Sequence, residues 1–156
     1  MNNAICEFDW NLDKNLLIKE LPTTETFSSL NPKWEKSFAL GKYGLEIEKI
    51  LSTIFTGKLK AGYYYQYKNT EVLEHKDSKC KCCININLTN NTTPIIINNE
   101  KIIYECALIY FGSFKHSVPK TFSDRIIFRI DFRDDNFFNV FKHLPVIVEK
   151  TVKEFK

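Results

Sequence analysis

From residue 59 to residue 133 the chain reads as one short apolar run after another, broken by turns too brief to hold a helix. Runs with strand character cover 59–68, 70–75, 80–88, 94–98, 101–111 and 123–133, with Asn-rich or Gly- and Pro-bearing breaks between them. Strands linked this closely pair antiparallel, because a parallel neighbour needs a crossover of a dozen or more residues. The stretch "PIIINNEKIIYECALIYF" predicts a hairpin closed at Asn98 to Lys101. Upstream, "AICEFDW" alternates Ala4, Cys6, Phe8 and Trp10 against Glu7 and Asp9, the period of a half-buried strand.

Two segments carry helical spacing instead. Ile47, Ile50, Leu51, Ile54 and Phe55 form one stripe between Tyr43 and Phe55, with Gly57 placed to end the helix. After residue 133 the spacing Phe137, Phe141, Leu144, Val148, Val152 and Phe155 predicts a helix capped by Asp134 or Asp135, which Pro145 either kinks or restarts. The polar stretch from Pro22 to Lys42, with its two prolines, reads as a loop that packs Phe27, Trp34 and Phe38. The expected fold is α+β, a single domain over 1–156 with an antiparallel sheet of about six strands and two helices on one face.

Composition matters for what it excludes. With 44% apolar and 26% charged residues the chain is globular. Its N-terminus lacks a basic start and an apolar run, and no later apolar stretch approaches the ~20 residues of a membrane span, so a cytoplasmic protein without membrane contact is expected. The net charge of +3 is small for nucleic-acid binding.

All three arginines fall in "RIIFRIDFR", although Lys and Arg together number 22. On a strand, Ile126, Phe128, Ile130 and Phe132 would face the core and Arg125, Ile127, Arg129, Asp131 and Arg133 the opposite side. Successive guanidinium groups then stand ~13 Å apart, a row suited to an extended anionic surface. The plainer alternative is an outward face whose arginines pair with acids on neighbouring strands. In "GYYYQY", Tyr63, Tyr65 and Tyr67 share one face and Tyr64 and Gln66 the other; such tyrosines either anchor a partner or sit half-buried with the hydroxyl in water.

The segment "HKDSKCKCC" sets His75 near Cys80, Cys82 and Cys83. Structural zinc sites use paired ligands, and this cluster has no second pair, so no metal or other cofactor is expected and the thiols are read as free. There is no phosphate-binding glycine loop, nucleophile elbow or H-E-x-x-H. His116 and His143 could meet Asp131 or Asp134 as general acid and base, with a surface or capping role as the plainer reading. Asp131, Asp134, Asp135, Asn136 and Asn139 could bind a divalent ion, but acids at a helix start are already accounted for by capping.

The sequence thus points to a non-enzymatic, cytoplasmic protein-binding module, of the inhibitor, immunity or assembly-accessory kind. Its docking residues would be Arg125, Arg129, Arg133, Tyr63, Tyr65 and Tyr67. The alternatives are a nucleic-acid-binding protein using the same surface, or a small His-dependent enzyme such as a nuclease.

Overall fold

The computed structural model describes residues 5–23, 26–31 and 34–154, without the side chains of 28–31 and 152–154. Ala4, Pro32 and Phe155, invoked above, lie outside the described residues, as does the side chain of Val152. In chain order the elements are β1 (Ile5–Phe8), α1 (Lys14–Lys19), β2 (Ser28–Asn31), β3 (Trp34–Ser37), α2 (Lys42–Ile54), β4 (Leu59–Gln66), β5 (Val72–His75), β6 (Cys82–Asn87), β7 (Ile95–Ile97), β8 (Glu100–Ile102), β9 (Ala107–Phe111), β10 (His116–Val118), β11 (Arg125–Phe132), α3 (Phe137–Lys142) and α4 (Leu144–Glu154).

The strands form two antiparallel sheets. One has seven strands in the order β1-β9-β6-β11-β4-β3-β2, the other four in the order β5-β10-β7-β8. This overturns the expected α+β arrangement of six strands and two helices, and the reason is physical. The smaller sheet is built from strands of three or four residues, too short to show a clear period, yet it covers the face of the large sheet that alternation had assigned to water. Every residue of β6 is consequently buried. The supposed loop from Pro22 to Lys42 contributes the edge hairpin β2–β3, which extends the large sheet past β4.

Two apolar clusters result. On the helical side, Ile84 and Ile86 of β6, Phe128, Ile130 and Phe132 of β11, and Ala61 and Tyr63 of β4 pack with Leu17, Ile47, Leu51, Val140 and Ile147 of the four helices. Truncating a wholly buried ring such as Phe128 to Ala would cost about 3–5 kcal/mol. Between the sheets lie Val72, Cys83, Ile95, Ile97, Tyr104, Leu108, Tyr110 and Val118. No helix among the described residues is long and apolar enough to cross a membrane.

Local expectations fare variously. The helix over 43–55 forms as α2, with Glu20 accepting hydrogen bonds from the Tyr43 and Gly44 amides at its start. Asn98 (φ 48°) and Asn99 (φ 69°) close the β7–β8 hairpin in the left-handed region that asparagine tolerates. The cap of α3 is Asn136, whose side chain accepts from the Asn139 amide at 3.0 Å, rather than Asp134 or Asp135. Pro145 stands in the first turn of α4, where no backbone N–H is required. On β4, Gly62 lets Phe38 cross the strand closely, since a Cβ there would lie 2.7 Å from the Phe38 ring and 2.8 Å from the Ser37 carbonyl oxygen.

Candidate metal centre

The arginine parity holds, but its consequence does not. Arg125 and Arg129 do point away from the helical core, and they enter the space between the two sheets, where they are 6% and 4% exposed. Only Arg133, past the end of β11, reaches solvent. There is no exposed row. The tyrosines are dispersed as well. Tyr63 is buried under the helices and donates to the Leu17 carbonyl at 3.0 Å, while Tyr65 and Tyr67 donate to Asp124 and Glu35 at 2.7 and 2.8 Å. Tyr64, on the other parity, is the one that reaches the site, beneath Arg129 and donating to Asp131 at 3.2 Å.

That site is organised by β5 and β10. These strands pair so that His75 and His116 stand directly opposite each other, and Asp77 follows His75 at the spacing that keeps two extended residues on one face. The Asp77 amide donates to the Gly112 carbonyl at 2.9 Å, which fixes the segment after β5 against the turn before β10. A Cβ on Gly112 would lie 2.2 Å from the Cys80 carbonyl oxygen, so only glycine admits this crossing.

The polar atoms then converge. His75 Nε2 lies 3.6 Å from Asp77 Oδ1 and His116 Nε2 3.5 Å from Asp77 Oδ2. All three ligand atoms fall within 4.8 Å of one another. His75 Nδ1 donates to the Leu73 carbonyl at 2.7 Å and His116 Nδ1 to the Phe114 carbonyl at 2.8 Å. A carbonyl oxygen only accepts, so Nδ1 carries a hydrogen in both rings, and in its neutral form each ring aims a lone pair from Nε2 at the carboxylate. This is how metal-binding histidines are held. The buried Nε2 of His116 has no hydrogen-bond partner. A cation shared between the lone pairs and the carboxylate, whether a metal ion or a ring proton, satisfies this arrangement; ligands around an ion at ~2.1 Å stand about 3 Å apart, against 3.5 and 3.6 Å here.

Burial works against ionising Asp77, but the His75 contact and the Arg129 charge outweigh it and hold the carboxyl well below the usual carboxylate range. The Asp77 contact raises His75, whereas burial pushes His116 down. Arg129 pairs with Asp77 Oδ2 and, at 2.6 Å, with Asp131 Oδ1, which leaves Asp77 Oδ1 directed at His75. Asp77 also lies within 4.8 Å of the Cys80 and Cys83 sulfurs. Their S–H groups donate to the Cys82 and Tyr110 carbonyls, and the neighbouring Cys83 together with burial pushes the Cys80 thiol far up. Cys82 faces the helical core. His143 caps α3 through the Asn139 carbonyl and packs on Phe55, so it does not join His116. Asp134 accepts from the Lys58 amide and Asp135 from the Asn139 side chain. The signal available in the sequence was H-x-D with a later histidine, since residues two apart on a strand share a face. Treating His75 with the cysteines and His116 with Asp131 concealed it.

Two spaces adjoin the triad. A groove of about 480 Å³ opens from His75, Asp77 and Arg129 toward solvent, walled by Trp34, Phe38 and Tyr64. Inside, a cavity of about 20 Å³ between the sheets connects both histidines with Asn85, Tyr110 and Arg125. Among the described residues no carboxylate pairs with Arg125, whose guanidinium meets only the Tyr104 hydroxyl, at 3.4 Å.

No protein-family model matches the sequence, and no curated protein does. Solved structures do match in fold. A prolyl hydroxylase from Trichoplax adhaerens, solved with a hypoxia inducible factor oxygen degradation domain peptide fragment, superposes with a TM-score of 0.66 at 10% identity, covering 85% of this chain and 84% of that one. A Pseudomonas putida prolyl-4-hydroxylase gives 0.58 at 8% identity over 86% and 95%, and a 2OG-Fe(II) oxygenase family oxidoreductase from Burkholderia pseudomallei gives 0.53 at 10% over 78% and 76%. At such identities the likeness speaks for the fold, a two-sheet β-fold of jelly-roll type. By their names these neighbours are enzymes, and this chain gathers side chains that could hold a metal ion where none had been expected. The expectation of a non-enzymatic inhibitor- or immunity-type binding module, or of a nucleic-acid binder using an exposed arginine row, does not stand.

Proposed function

We propose that the chain is a mononuclear non-haem iron enzyme of the oxygenase class, with the metal held by His75 Nε2, Asp77 and His116 Nε2. The observation that carries this is the convergence of two correctly hydrogen-bonded imidazoles and one carboxylate on a point that opens to a groove. Two histidines and one carboxylate on one side of an ion, with positions left open, are characteristic of non-haem iron(II) oxygenases. Bound there, iron(II) supplies redox chemistry with dioxygen.

The protein's own residues have separable duties. The Leu73 and Phe114 carbonyls fix the imidazole tautomers, and Arg129 holds one oxygen of Asp77 so that the other stays turned to the site. Trp34 lies 6.1 Å from His75 and 5.1 Å from Tyr64, ring centroid to centroid, and so shapes the approach from the groove.

The test is anaerobic titration of the full chain with Co(II), read by its visible absorption, followed by Fe(II) loading and measurement of dioxygen uptake. A single ion per chain is expected. His116→Ala should weaken binding by on the order of 100-fold or more, while the double variant Cys80→Ala/Cys83→Ala should retain it. Retention in the first and loss in the second would move the metal to the thiols and overturn the reading.

A second reading adds a 2-oxo acid co-substrate, favoured by the buried, carboxylate-free charge of Arg125 on the wall of the same cavity. The cavity's 20 Å³ suits a water-sized group and not a diacid, so the residues as arranged do not accommodate one. Adding 2-oxoglutarate to the Fe(II)-loaded protein decides the point. A visible charge-transfer band that Arg125→Met abolishes would establish the co-substrate, and its absence would leave a metal enzyme that works without one.

A further inference from the structure

We infer that the groove beside the triad receives a small anionic molecule with a flat apolar portion, its charge held by Lys76, Lys79 and Arg133 and its flat part lying along Trp34 and Phe38. This deepens the metal-enzyme reading by naming a substrate class, and as a statement about substrate it rests on that reading.

Charge comes first. The titratable groups facing the groove are Lys36, Lys76, Lys79, Arg129, Arg133, His75, Tyr64, Cys80 and the carboxylates Glu74, Asp77 and Asp131. The carboxylates are engaged: Asp77 and Asp131 hold Arg129, and Glu74 is drawn to Lys115 at 3.4 Å, outside the groove. Among the described residues no carboxylate pairs with Lys76, Lys79 or Arg133, all of which are exposed at the rim. A dication at the triad would add to the same field. A cleft lined by one sign of charge concentrates ligands of the other.

The wall supplies the second part. Trp34 is half-buried and stacks on Tyr64 at an interplanar angle of 30°. The Lys36 and Lys60 ammonium groups stand 5.1 and 4.0 Å from the Phe38 ring centroid, bringing positive charge to an aromatic surface. Size narrows the occupant. About 480 Å³ falls within the range of small-molecule sites, whereas a polyanion would require a longer basic face than three unpaired cations provide.

The experiment follows Trp34 fluorescence in the full chain loaded with Mn(II), a redox-silent probe. The other tryptophan, Trp10, is 2% exposed and packs on the helical side, so it does not report on the groove. The ligands are phenyl phosphate, phenylacetate, neutral 2-phenylethanol and a ten-residue oligothymidylate. Saturable quenching by either small anion is expected, with a dissociation constant lower than that of 2-phenylethanol by about tenfold or more, and the better anion identifies the acid group. Lys76→Glu/Lys79→Glu should raise the anion's dissociation constant by about tenfold or more without weakening Mn(II) binding. Equal binding of the alcohol would overturn the proposal. So would anion binding that survives charge reversal and disappears in His75→Ala, because the anion would then be a direct metal ligand. Tighter binding of the oligonucleotide, with a steep salt dependence, would replace the small molecule by a polyanion. If the chain binds no Mn(II) while the anion still depends on the rim lysines, the metal reading fails and the anion site stands.

Discussion

His75 and His116 face each other across one antiparallel strand pair, their ring centroids 4.3 Å apart, although 41 positions separate them in the chain. Each imidazole is held by a separate backbone carbonyl, that of Leu73 for His75 and that of Phe114 for His116, so the pair is organised before any ion arrives.

Metal should therefore stabilise the fold in a way that one substitution removes. With Mn(II) at one hundred times its dissociation constant, the wild-type chain should gain about 2.7 kcal/mol, read as a higher melting temperature. His116→Ala should show no rise at the same concentration. An equal rise in that variant would place the ion elsewhere.

The two buried arginines should respond oppositely to the same change. Arg129→Met leaves Asp77 and Asp131 without their cation and should destabilise by roughly 3–5 kcal/mol. Arg125→Met removes a buried charge that has no carboxylate partner, and should leave stability unchanged or raise it by about 1–2 kcal/mol. Urea unfolding of both variants measures the contrast, and equal losses would refute it.

Gly112→Ala tests the crossing that seats Asp77. The added methyl meets the Cys80 carbonyl, and displacing that segment should cost about 1–3 kcal/mol and weaken Mn(II) binding by ~10–100-fold, with His75 and His116 unaltered. Calorimetric titration gives the second number. Unchanged affinity would show that Asp77 holds its place without Gly112.

Thiol reactivity should divide the cysteines. Cys6 and Cys106 are partly exposed, whereas Cys80, Cys82 and Cys83 are buried. In the native protein a thiol reagent should modify the first two, slowly because burial raises both thiols, and reach the other three only on unfolding. Mass spectrometry after short labelling locates the adducts, and early labelling of Cys80 would contradict its burial.

Strand runs and side-chain parity were legible in the residues, whereas the two-sheet architecture was not, and the reason is physical. Alternation placed Arg125 and Arg129 opposite Phe128 and Ile130 correctly, because side-chain parity is a property of the strand itself. Whether that opposite face meets water is decided by other strands. Here the cover comes from β5, β7, β8 and β10, and β10 is only His116 to Val118, set between turns and without a full period to recognise. The chemistry was hidden for the same reason. His75 and Asp77 share a face by local geometry, but His116 becomes their neighbour only through the pairing of β5 with β10. Arg125 reads as a surface charge until its surroundings are seen.

Gly62 carries a consequence for how this entrance could diverge. Phe38 rests where a methyl at position 62 would sit, so the threshold owes its present width to a missing substituent. Any larger residue would push the β2–β3 edge outward and enlarge the mouth while leaving the ligands untouched. Selectivity could then drift independently of reactivity, through the size of a single side chain remote from the His75–Asp77–His116 cluster.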